Sequence, residues 1–108
     1  MRFYTGGFLM LVAACAPIEE RVDGAARQAA KGSVAETLAT RFPEVTRQLI
    51  SPATDCIVEF AMASEVRTFA RSGVVGVDDE TEAAARAVLA RPKTQQCLSA
   101  RGAALRPL

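Results

Sequence analysis

Between its glycines and prolines, this chain repeats apolar residues every three or four positions, the period of an amphipathic helix. Ile18, Val22, Ala25 and Ala29 fall at that spacing, and Val34, Leu38 and Phe42 continue the stripe. Charges at Glu19, Glu20, Asp23, Arg27, Lys31, Glu36 and Arg41 leave a polar face opposite. The pattern predicts a helix over 19–41, weakened near Gly24 and Gly32, because a glycine inside a helix costs about 1 kcal/mol. Pro43 stops it, and residues 44–50 are expected to form a short helical turn.

Ser51-Pro52 reads as the next helix start, with Ser capping free amides and Pro in a first turn that needs no donor. The segment 52–72 is the most apolar of the chain after its first residues. Val58, Met62, Val66, Phe69 and Ala70 make one stripe, while Ile57, Phe60 and Ala61 point elsewhere, so this helix is expected to be central. Gly73-Val74-Val75-Gly76-Val77 reads as a connector. Asp79 then supplies an N-cap with Glu82 three residues on and acids in the first turn. That helix runs to about Arg91 with Ala84, Ala87 and Val88 inward, and Arg91-Pro92 opens a last one that Gly102 ends. Residues 105–108 should fray. The expected fold is all-α, a small bundle of about four helices.

The N-terminus alters this picture. Met1-Arg2 is followed by the apolar run Phe8-Leu9-Met10-Leu11-Val12-Ala13-Ala14 and then Cys15, too short a stretch to span a bilayer. Val12-Ala13-Ala14-Cys15 resembles the lipobox of bacterial lipoproteins. The resemblance implies that 1–14 are a signal peptide, that Cys15 carries a diacylglycerol on its sulfur, and that acyl chains such as palmitate also cap its amino group. Residues 15–18 are then a lipidated tether and 19–108 a single helical domain. Two or three acyl chains anchor firmly. Ala16 is not the Asp that in this family favours the inner membrane, which implies the periplasmic face of the outer membrane. No linker of low complexity separates Cys15 from the first helix, so the domain should sit close to its bilayer.

Without 1–14, 94 of the 108 residues remain, enough for one domain with a small core. The 13 Lys and Arg include Arg2, so the mature chain holds 12 cations against 12 Asp and Glu, a net of zero. This balance excludes a basic nucleic-acid surface, and it argues against a toxin-like, membrane-active lipoprotein, which needs a cationic amphipathic face. Aromatics are 6% of the chain, so small side chains must build the core.

With Cys15 lipidated, Cys56 and Cys97 remain, and an even pair in an oxidising compartment reads as one disulfide. There is no Cys-x-x-Cys, and without any His the commonest metal partner is missing, so neither metal nor cofactor is expected. Both cysteines follow a Pro and then a Thr (Pro52, Thr54, Cys56; Pro92, Thr94, Cys97), an echo whose use would be to join two helix beginnings.

Candidate chemistry is sparse. A chain without His lacks the usual general base near neutral pH, and no phosphate-binding or nucleophile motif occurs. Glu59 breaks the apolar stripe of the central helix and is the one candidate ligand-binding or structural polar site. It would be a partly buried acid with a raised pKa, the partner of an Arg on a neighbouring helix, or an exposed residue. Asp55 reads as complementing the helix start. The acids at 78–82 read as a solvated first turn, since the calcium-loop spacing is missing.

Ser51-Pro52-Ala53-Thr54-Asp55-Cys56 and Arg91-Pro92-Lys93-Thr94-Gln95-Gln96-Cys97-Leu98 resemble small Ala-rich lipoproteins sometimes named succinate dehydrogenase. The residues do not carry that chemistry: there is no dinucleotide fingerprint, iron–sulfur cysteine set or haem-bearing membrane helix. The expectation is therefore a lipid-anchored protein facing the periplasm that acts by binding or structural presence, with an unidentified protein partner. A small periplasmic enzyme or accessory factor using Glu59 is the alternative.

Overall fold

The computed structural model describes residues 24–102. The expected signal peptide (1–14), Cys15, the expected tether (15–18), the start of the first predicted helix and residues 105–108 lie outside that range. Among the described residues the chain is all-helical, with five helices rather than four. These are α1 (24–41), α2 (Arg47–Phe60), α3 (Ala63–Val75), α4 (Asp79–Leu89) and α5 (Pro92–Ala100).

Along α1 and the residue just after it, Ala30, Val34, Leu38 and Phe42 recur every four residues and are fully buried, with Thr37 beside them. The inward stripe is thus offset from Ala25 and Ala29, which are exposed. A stripe read across 29 to 34 spans five residues, and at 3.6 residues per turn that step changes face. Pro43 lies just past the helix, in the turn that leads to α2.

The second helix begins earlier than its Ser-Pro signal. Arg47 opens α2, Thr46 stands at its N-cap, and Pro52 lies inside. A proline there removes one backbone donor, but Gln48, whose carbonyl would have received it, is on the exposed side where water can serve. Burial of Ala53, Cys56, Ile57 and Val58 outweighs the lost bond. Consequently Asp55 is mid-helix and does not complement a helix start.

The predicted 52–72 helix is two helices. Ala61 and Met62 are extended (ψ 140° and 161°), and α3 starts again at Ala63. Met62 N–H donates to the Glu65 carboxylate at 2.8 Å. The Glu65 carboxylate also receives both terminal nitrogens of Arg91, each at 2.7 Å, and Arg91 donates to the Phe60 carbonyl at 3.0 Å. The turn between α4 and α5 thereby satisfies the last carbonyl of α2, and it holds Glu65 where that carboxylate satisfies an orphan donor at the start of α3. After this break Met62 is 57% exposed, so it leaves the stripe to which the sequence pattern assigns it.

Residues 73–75 continue α3, and the connector shrinks to 76–78. Gly76 turns the chain at φ 100°, a conformation that other residues rarely adopt. Asp78, one residue before the expected Asp79, caps α4: its carboxylate accepts from the Thr81 N–H at 3.0 Å and the Thr81 hydroxyl at 2.9 Å. Those two bonds hold the Asp78 carboxyl below its usual range. Ser72 and Thr81, both buried, meet hydroxyl to hydroxyl at 2.5 Å and tie α3 to α4. Each hydroxyl also has another acceptor, the Thr68 carbonyl at 2.9 Å for Ser72 and the Asp78 carboxylate for Thr81, so either can be the donor between them. Inside α4 the inward residues are Thr81, Ala85, Val88 and Leu89, whereas Ala87 is exposed and Ala84 half-buried. Arg86 lies over the Phe42 ring, 4.4 Å from its centre, and Arg41 pairs with Asp79 at 2.6 Å, so α4 closes the end of α1. Gly102, at φ 69°, follows α5 as expected.

Helices α1 and α2 run in opposite directions, as Lys31 with Asp55 and Arg27 with the Val58 carbonyl show. Helix α5 lies antiparallel on α2. Cys56 and Cys97 bring their sulfurs to bonding distance, 2.11 Å, across that pair, with Cα atoms 5.8 Å apart. Because the pair is antiparallel and Pro52 is interior, the Pro-Thr-Cys echo does not join two helix beginnings. It does place Thr54 and Thr94, both buried, on the packed sides of the two helices.

Candidate functional site

Glu59 sits near the end of α2, on the edge facing α5 rather than the core. Its side chain is 56% exposed, and one carboxylate oxygen lies 3.9 Å from the Arg101 guanidinium. Of the three possibilities open for this residue, the structure combines two, an exposed position and an Arg of a neighbouring element. The partly buried acid is overturned. The chain turns at Ala61, so the face carrying Glu59 never continues into the Val66 and Phe69 stripe that would have covered it.

Around Glu59 the fold assembles a row of alternating charge. Lys31 of α1 approaches one oxygen of Asp55 at 3.4 Å, and Arg101 approaches the other at 3.2 Å while reaching Glu59 with its second nitrogen. Asp55 and Glu59 are four apart and so lie on one face of α2. Arg27 secures the α1 side by donating to the Val58 carbonyl at 2.8 Å. Two open hollows flank the row. One, of about 330 Å³, lies between α1, α2 and α5, and the other, of about 470 Å³, is bordered by Phe60, Lys93, Gln96 and Cys97; both share Glu59 and Arg101.

The Cys97 sulfur is 3.9 Å from the Glu59 carboxylate. Joined to Cys56, that sulfur has no proton to donate, so this is a contact and not a hydrogen bond. The arrangement can hold a ligand of mixed charge by ion pairing from an open surface. It brings no nucleophile beside a base, and among the described residues no three metal-ligating side chains converge.

Exposed ion pairs contribute little stability, because water screens them and ordering two long side chains costs entropy. Glu59→Gln is therefore expected to shift the free energy of unfolding by no more than about 0.5 kcal/mol. Denaturant titration at neutral pH checks this, and a loss several times larger would place Glu59 in the structural framework after all.

Sequence reasoning singled out Glu59 and Asp55 but not Lys31 and Arg101, which complete the row. Its available signal was Asp55 and Glu59 at i and i+4 on one helix, a spacing that presents two acids side by side and invites cations from neighbours. No family model matches this chain, and no curated protein or solved structure matches it either.

Proposed function

We propose that this protein is a lipid-anchored lipoprotein facing the periplasm, which works by binding or by structural presence rather than by catalysis. The observation that carries the reading is the Cys56–Cys97 pair, at bonding distance between α2 and α5. A disulfide of this kind persists in oxidising compartments. A chain whose start resembles a lipoprotein leader, Val12-Ala13-Ala14-Cys15, is delivered to such a compartment. Cys15 is then the anchor, joined to the bilayer by its acyl chains, and the outer membrane is its station because Ala16 follows the cysteine.

The surface offered to a partner is the charged row of Lys31, Asp55, Glu59 and Arg101, open on both sides and neutral in sum. Such a surface suits an equally mixed-charge protein face better than a nucleic acid, which needs a cationic stripe. An enzymatic role for Glu59 loses its support with the exposure of that carboxylate.

The test is mass spectrometry of the N-terminal peptide from protein extracted from bacterial membranes. The expected result is a peptide beginning at Cys15 with diacylglycerol and an amide-linked acyl chain. Cys15→Ala should abolish both the modification and the membrane retention. A wild-type protein with an unmodified Cys15 would end this reading.

A further inference from the structure

We infer that the outer face of α3 lies on the bilayer, so that the domain rests against the lipid surface instead of swinging free on its anchor; this rests on the Cys15 anchor proposed above. The large apolar residues left exposed among the described residues are Met62, Val74 and Val75, at 57%, 87% and 70%. All three belong to α3 or its N-cap. At 100° per residue, Arg67, Arg71, Val74 and Val75 share one side of α3, opposite the buried Val66, Phe69 and Ser72. Arg71 is paired with Glu80. Arg67 is exposed, with no ion pair among the described residues. An unpaired guanidinium about 10 Å along the helix from two exposed valines suits anionic headgroups beside an apolar boundary.

The path of the chain points to the same occupant. The end of α3 lies against α1: a Cβ built on Gly73 would come 4.0 Å from the Ala29 carbonyl. Ala25 and Ala29 of α1 are exposed. Cys15 is nine residues before Gly24. Nine extended residues span at most roughly 30 Å, and fewer if any of them are helical. An acylated Cys15 thus holds the end of α3, with Val74 and Val75, within a short tether of the membrane, where lipid, rather than a distant protein, is the nearest apolar phase. Among the described residues no helix is long and apolar enough to cross a membrane, so the contact is one of lying on the surface.

The chain contains no Trp, which makes a single Trp a clean reporter. Full-length acylated protein carrying Val74→Trp would be reconstituted in phosphatidylethanolamine–phosphatidylglycerol vesicles with brominated acyl chains, beside Lys93→Trp on α5 as the comparison. The Val74→Trp emission should shift to the blue and fall about twofold relative to unbrominated vesicles, with Lys93→Trp unchanged. Because Trp itself favours the interface, Arg67→Glu with Val75→Glu is added to Val74→Trp and should abolish the quenching while circular dichroism shows the helices intact. Equal emission from Val74→Trp and Lys93→Trp on a protein whose Cys15 is acylated overturns this inference and leaves the anchor standing. Crosslinking through α3 between two copies, without quenching, overturns it as well. An unacylated Cys15 overturns the anchor and this inference together.

Discussion

Replacing Cys56 and Cys97 together by alanine is expected to lower the free energy of unfolding by about 4 kcal/mol. The bridge closes a loop of 41 residues, and a loop of that length removes a large share of the conformational entropy of the unfolded chain. For this protein the loss matters more than for a larger one. Its core relies on Ala30, Ala53 and Ala85 alongside a few Val and Leu residues, with Phe42 and Phe69 its fully buried rings. Small domains hold only about 5–15 kcal/mol in total. Urea unfolding of the wild type with and without a reductant, and of the double alanine variant, measures the effect. The reduced wild type and the double variant should share a midpoint well below that of the oxidised protein. Coincident midpoints for all three would mean that helix packing alone holds α5 to α2.

Glu65→Gln should be the most damaging single change outside the core, at about 2–3 kcal/mol. The Glu65 side chain is 12% exposed, and its two oxygens accept from both terminal nitrogens of Arg91 and from Met62 N–H. Glutamine keeps the volume and one acceptor but turns an NH2 donor toward a guanidinium that is itself all donor. The α2–α3 break and the α4–α5 turn would then lose their common fastening. Burial on its own raises the Glu65 carboxyl, but the hydrogen bonds from Arg91 and Met62 outweigh it and hold the group below its ordinary 4.5. A folded value below the unfolded one means that the stabilisation is fully present above the ordinary carboxylate range. It is lost as pH falls through the lowered folded value. Unfolding free energies of wild type and Glu65→Gln measured from about pH 2 to 7 should therefore be far apart near neutrality and converge in acid. A constant gap across that range would show that the carboxylate's charge plays no part in the clasp.

Much of the fold could be read along the chain, and the reasons are local. The spacing of Val34, Leu38 and Phe42 is enough to orient α1, since four-residue steps leave one face apolar whatever packs on it. Pro92 at the first turn of α5 and Gly102 beyond its end mark that helix, because each residue acts on its own backbone. The acids near 79 marked the start of α4, displaced by one residue because both Asp78 and Asp79 can cap. Which of them does so depends on Thr81 turning back to Asp78 while Asp79 is drawn to Arg41. Two cysteines in a chain with a lipoprotein-like leader likewise suggested one pairing, which the packing of α5 on α2 makes possible.

The tertiary structure decided the rest. Nothing in Phe60-Ala61-Met62-Ala63 stops a helix: there is no Gly, Pro or capping hydroxyl, and alanine is the best helix former. The chain breaks there because Arg91, 31 residues beyond Phe60, supplies donors to the last carbonyl of α2 and to Glu65, and so replaces the hydrogen bonds that a continuous helix would have kept. That one break moved Met62 out to solvent and left Glu59 on an open edge beside Arg101, which changed a suspected buried acid into one member of a surface row. Periodicity reports which face of a helix is apolar, but whether that face is covered depends on where the next helix begins, and here a side chain distant in sequence sets that point.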